Sequence, residues 1–238
     1  MDPLLDVEPL ADGKSMIDLS IKLALSVFLA FHLWFNLHFY GPLNYLWFCD
    51  IALLMCFVGV WTENRLLLSM CALSSLGPAT IWSVDLFLRA MTGQWFIGMA
   101  SYMTARAVPL PVRMAATFHL WMPILLLWCL KKLRYDRRAL IYQTFFAIAL
   151  LIVCRVFTAP PPEHSPSDEV NINFVYGYGD APQTEMPAWL YLTRMICLYW
   201  FLMYLPIHVA LLKTLARQNQ IASMNNHAGT MAGLRTSA

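Results

Sequence analysis

A chain of 238 residues that is 59% hydrophobic and only 13% charged is too apolar for a water-soluble domain and has the composition of a polytopic membrane protein. A net charge of +2, with no Lys/Arg tract marking a nucleic-acid surface, leaves nucleic acid out as an expected partner. All six cysteines fall inside apolar stretches, which excludes a disulfide framework built on loops.

The N-terminus is acidic (Asp2, Asp6, Glu8, Asp12), and the long apolar stretch after it has no small-residue cleavage site. It reads as a retained helix behind a tail, 1–16, rather than a signal peptide. A crossing helix needs about 20 mostly apolar residues. Six spans meet that need: 17–39, 43–61, 66–88 (broken at Gly77–Pro78), 114–130, 139–158 and 189–212. The expected fold is all-α, a six-helix transmembrane bundle over 17–212 with a C-terminal tail, 213–238. Residues 94–105, flanked by Arg89, Arg106 and Arg113, are too interrupted for a span and read as an interfacial or re-entrant segment.

Short cytoplasmic loops carry excess Lys and Arg. The 131–138 loop, Lys-Lys-Leu-Arg-Tyr-Asp-Arg-Arg, is basic, and Lys213, Arg217 and Arg235 follow the last span. The 159–188 loop has no Lys or Arg and five acids: Glu163, Asp168, Glu169, Asp180 and Glu185. Both termini are therefore expected in the cytoplasm. The arginines around 94–105 then fall outside, the one discordant feature.

Ionisable groups in hydrocarbon are costly and mark functional sites. Cys49 and Asp50 lie about 9–11 Å inside the start of span 2, and His119 about 8 Å inside span 4, with Arg194 similar in span 6. Asp85 and Arg155 lie about 5 Å inside the same membrane face. His32 and Asn36 share one helix face at i, i+4 in the same half of span 1. Together they predict a polar cavity open to one leaflet. Each residue also has a plainer reading. Asp85 and Arg89 have the spacing of an ion pair, and Arg155 and Arg194 can snorkel to headgroups. His208, in the other half, reads as a structural histidine. Pro123 leaves the His119 carbonyl without its helical donor, so a bend is expected there. The Asn-Ile-Asn-Phe-Val-Tyr-Gly-Tyr-Gly run, 171–179, suits a loop that folds over the cavity, with Asn173 bonding a cavity residue or a headgroup.

Leu46-Trp47-Phe48-Cys49-Asp50-Ile51-Ala52-Leu53, then His119 in a later span, then the Asn motif at Asn171–Gly177, resemble in order the YwaF-type bacterial integral membrane proteins. That group is related to a mammalian transmembrane acyltransferase that moves fatty acyl chains between phospholipids. The resemblance implies a bacterial inner (cytoplasmic) membrane, a Cys49 nucleophile, a His119 base and a membrane phospholipid or other lipid as substrate. Asp50 or Asp85 could orient the imidazole, and Arg155, Arg194 or loop amides could stabilise an oxyanion. Two other functions fit the same residues. One is a metal-dependent intramembrane hydrolase using His32, Asp50, Asp85 and His119, although no tight ligand spacing such as His-Glu-x-x-His is present. The other is a transporter or lipid-binding protein without chemistry. No Rossmann glycine fingerprint, Walker loop or c-type haem motif occurs, so no cofactor is expected.

Overall fold

The computed structural model describes residues 15–161, 171–178 and 181–214. Four of the five acids of the 159–188 stretch that bears on orientation (Glu163, Asp168, Glu169 and Asp180), together with Arg217 and Arg235, lie outside the described residues. Among those described the chain is all-helical with no strand. The helices are α1 (Leu19–Phe39), α2 (Phe48–Thr62), α3 (Arg65–Thr92), α4 (Leu110–Ala115), α5 (Phe118–Leu133), α6 (Ala139–Phe157) and α7 (Ala188–Tyr199). A π-helical turn, Trp200–Tyr204, carries α7 onward to Thr214. Five helical segments are long and apolar enough to cross a membrane, with α4 and α5 counting as one. The polytopic helical bundle expected from the sequence is what forms.

Three departures matter for the site. First, the apolar run expected over 43–61 is not one helix. Gly41 takes φ +88°, Pro42–Leu46 winds as a 3-10 turn, and the 15-residue α2 starts only at Phe48. At 1.5 Å per residue α2 is about 22 Å long, short of a hydrocarbon core of about 30 Å. Its first turn therefore lies within the bundle. Second, the span expected from 114 begins at Leu110 and breaks at Ala116–Thr117 between α4 and α5. Third, α3 runs unbroken through Gly77–Pro78 for 28 residues, where an interruption was expected. Membrane helices tolerate internal proline when neighbours enclose the backbone. Here the end of α7 supplies that neighbour, since Ile207 lies 3.5 Å from where a Gly77 Cβ would stand.

Residues 93–109 do not make a seventh crossing. Their only helical piece is the four-residue turn Ser101–Thr104. Helices α2 and α3 approach closely at Gly59, where a Cβ would meet the Leu68 side chain at 2.9 Å. The last candidate crossing, from Ala188, is the least enclosed of the five, with 17% of its apolar window buried, and the rest of the chain leaves most of its surface uncovered.

The end of the bundle away from the cavity is held by ion pairs. Glu63 takes Lys22 Nζ at 2.9 Å, the Ser15 hydroxyl, and the N–H groups of Met16 and Ile17 at 3.0 and 3.2 Å. Burial works against its charge, but these donors win and hold the carboxyl down at about 2. Lys132 donates to the Met16 carbonyl at 3.0 Å. Between α5 and α6, Asp136 pairs with Arg138 at 2.9 Å and Arg65 at 3.4 Å. Hydrogen bonds from Arg138 lower its carboxyl below the ordinary value. His208 accepts or donates at 2.7 Å to Tyr135 Oη in the same region, a bonded structural position.

Candidate functional site

At the other end, the two broken helices face each other across a cavity of about 290 Å³. Irregular backbone inside a membrane survives only where protein or a cavity encloses it. Each break releases backbone groups, and the site's polar side chains take them. Where α4 and α5 do not join, the regular ladder is interrupted, and the Ala116 carbonyl keeps only a long bond from the His119 N–H at 3.3 Å. His32 Nδ1 lies 3.3 Å from the Ala115 carbonyl and His119 Nδ1 lies 2.8 Å from that of Ala116. The carbonyl of His119, which Pro123 cannot serve, accepts from Ser83 Oγ at 3.1 Å.

The α2 start is pinned from the opposite side. Asn173 Oδ1 accepts from the Phe48 N–H at 3.0 Å, and its Nδ2 donates to the Leu46 carbonyl at 2.7 Å and towards Cys154 Sγ at 3.3 Å. The turn that presents it needs left-handed φ at Asn171, Asn173 and Phe174 (+52°, +54° and +58°), a region asparagine enters more readily than most residues. The expected loop contact thus takes the form of a backbone clamp on the 3-10 turn and α2. The next residue, Phe174, contributes cavity wall.

Cys49, Asp50, Asn36 and His119 all line the cavity. His32 stands behind Asp50, with Nε2 2.9 Å from Oδ1; the two side chains are 1% and 8% exposed. Both ring nitrogens of His32 face oxygen atoms, those of the Ala115 carbonyl and the Asp50 carboxyl. Asp50 Oδ2 also receives the Cys49 thiol at 3.5 Å. Asn36 Nδ2 sits 3.3 Å from His32 Nε2 while its buried Oδ1 has no partner. His32 Nε2 already turns its proton to Asp50 and cannot accept from Asn36. Turning the amide over sets its oxygen toward the ring and its NH2 toward the cavity.

His119 is wedged between aromatic rings, 4.7 Å from Trp82 and 4.0 Å from Phe118 between centroids. Its Nδ1 carries the proton given to Ala116, which leaves Nε2 with a free lone pair. A second hollow of about 330 Å³, lined by Thr80, Val84, Phe87, Leu120 and Ile124, shares His119 with the cavity. Most of these side chains are exposed on the apolar outer surface of the bundle: Val84, Phe87, Leu120 and Ile124.

The other expected site residues sit elsewhere. Asp85 neither pairs with Arg89 nor faces the imidazole. Its two oxygens accept the N–H groups of Phe96, Ile97, Gly98 and Ala100 at 2.9–3.2 Å, which fixes the loop after α3. Arg155 stacks on the Tyr176 ring, 3.9 Å from its centroid, and is not part of the cavity wall. Arg194 is exposed and likewise outside it. Sequence reasoning missed most of the apolar lining, namely Trp47, Trp82, Met99, Tyr102, Phe118 and Phe174. A usable signal existed for Trp82, which lies one helical turn before Asp85 on the same face of α3. No group of three or more His, Cys, Asp or Glu side chains is gathered as a metal-ligand set among the described residues. No family model, curated protein or solved structure matches this chain.

Proposed function

We infer that the chain is a membrane-embedded thiol enzyme that transfers or hydrolyses an acyl group on a lipid ester or thioester. The observation that carries this reading is that Cys49, in the first turn of a helix that begins inside the bundle, lines the same cavity as His119, whose Nε2 is free. The resemblance of Leu46–Leu53 to YwaF-type proteins points the same way. The metal-dependent alternative loses a candidate ligand in Asp85, whose oxygens serve the 96–100 backbone.

In this reading the acyl chain lies along the lipid-facing hollow, with its carbonyl beside His119. Cys49 Sγ gives its proton to His119 Nε2 and attacks the carbonyl carbon. The oxyanion that forms is held by first-turn N–H groups of α2, those of Cys49 and Asp50, which have no intrahelical acceptor. Positive helix-dipole potential at the same place favours both thiolate and oxyanion. The C–O or C–S bond to the leaving group then breaks, and His119 returns the proton to it. The acyl group remains on Cys49 as a thioester until an acceptor alcohol, or water, attacks and yields its proton to His119. Collapse expels Cys49, which regains a proton. His32 neutralises Asp50 and limits its repulsion of the thiolate.

The test uses the full chain purified in detergent with a fluorescent-acyl phospholipid. Cys49→Ala should remove turnover. His119→Ala should reduce it by about 10²–10⁴-fold, and the double change should add little. Cys56→Ala and Cys71→Ala, at buried packing positions, should be close to wild type. Undiminished activity in Cys49→Ala would defeat the thiol mechanism. Absence of turnover in wild type would favour a transporter or lipid-binding protein instead.

The same reading puts both termini in the cytoplasm of a bacterial inner membrane and the cavity in the outer leaflet, on the strength of the basic 131–138 loop. A reporter fused after Asp136 should behave as cytoplasmic and one fused near Glu169 as exported. The reverse pattern would move the cavity to the cytoplasmic leaflet.

A further inference from the structure

The cavity end of the bundle carries positive charge that the protein itself does not neutralise. Near the opposite end Lys22, Arg65 and Arg138 each meet a carboxylate within 4 Å, while Lys132 donates to the Met16 carbonyl and Lys131, Arg134 and Arg137 form no ion pair among the described residues. At the cavity end Arg89, Arg106 and Arg113, which bracket the loop after α3, form no ion pair among the described residues. The nearest acid in sequence, Asp85, is committed to four backbone N–H groups.

Arg89 and Arg113 are tied to one small cluster. The Arg89 guanidinium lies over the Trp95 ring at 5.5 Å, and Trp95 packs on the small cluster of Trp82, Ala100 and Ala116. Met103 packs on the same cluster, and its carbonyl accepts from Arg113 Nη1 at 3.2 Å. Arg113 Nε is buried with no acceptor, so its charge has no protein counterpart. Arg106, between them in sequence, is exposed. The loop also turns Phe96 (73% exposed) and Ile97 (58%) outward. Large apolar side chains beside arginine and tryptophan are what a chain presents where headgroups meet acyl chains.

We propose that Arg89, Arg106 and Arg113 bind the phosphate of an anionic membrane lipid, with Phe96 and Ile97 set among its acyl chains. Charge complementarity selects that occupant. Three unpaired guanidinium groups suit a phosphodiester, and no described carboxylate beside them is free to receive the cationic group of a zwitterionic lipid. The site does not depend on any chemistry at Cys49. Asp85 acts here as a positioning residue, holding the apolar tip rigid between the arginines.

The experiment measures lipid immobilisation by electron paramagnetic resonance. The full chain in detergent is titrated with spin-labelled phosphatidylglycerol or phosphatidylcholine. Wild type should immobilise phosphatidylglycerol preferentially. Arg106→Glu, a change at an exposed position with no structural bond, should lower that preference by about fivefold or more. Arg113→Gln should lower it similarly, while Arg194→Gln should leave it intact. Equal immobilisation of the two lipids by wild type would overturn the proposal, as would a preference that survives Arg106→Glu. Displacement of the lipid by inorganic phosphate, beyond that by chloride at matched ionic strength, would also overturn it and mark a site for free phosphate.

Discussion

His32→Ala should destabilise the protein by about 3–5 kcal/mol, among the largest losses any single side chain can produce here. The change leaves Asp50 as a buried carboxylate with only the weak thiol donor of Cys49 near it. The pair is almost fully enclosed, so only water inside the cavity can reach the charge. Replacing both partners together, His32→Leu with Asp50→Leu, removes the charge and its counterion at once. That double variant should recover most of the lost stability, because a well-packed apolar pair avoids desolvation of either ion. Thermal unfolding in detergent, followed by size-exclusion chromatography, checks both statements. Losses that simply add in the double variant would show that the two groups do not interact.

The second large effect is expected from Asn173→Ala. One amide satisfies the N–H that opens α2 and the carbonyl that closes the turn before it, from a position 1% exposed. Truncation strands both backbone groups away from water, a loss of about 2–4 kcal/mol. Asn173→Asp keeps the acceptor for Phe48 but loses the donor to Leu46, so it should fall between alanine and wild type. The same thermal measurement reads the series. A neutral Asn173→Ala would mean that the α2 start does not rely on this clamp.

The location of the bundle's helices was legible because long apolar runs have few other uses, and each of the six expected spans contains a helix. The short α2 was not. Hydropathy rates Leu43–Leu46 as span, and only Gly41, Pro42 and Asn44 hint that this part winds differently. Cys49, Asp50, His119 and Asn36 could be picked out because polar groups in hydrocarbon need a reason. Asp85 met the same criterion for another reason, because the N–H groups it holds lie 11–15 residues further on, in a loop whose path the sequence does not show. The aromatic lining was invisible for the opposite cause. In a chain this rich in aromatics, Trp82, Phe118 and Phe174 look like any other packing residue until two broken helices are brought face to face.

The α1–α2 hairpin is tied at both ends by acid–base pairs, Lys22 with Glu63 and His32 with Asp50. Both pairs lie within the first 63 residues, and closing loops of that size carries a modest entropy cost. A chain made from its N-terminus therefore holds the two partners of the most enclosed acid–base pair among the described residues before α3 has been synthesised. The thiol and the carboxylate beside it are made before the rest of the cavity wall that follows them in sequence. His119, Tyr102 and the Asn173 clamp are added around them in turn, as later walls raised on a foundation already set.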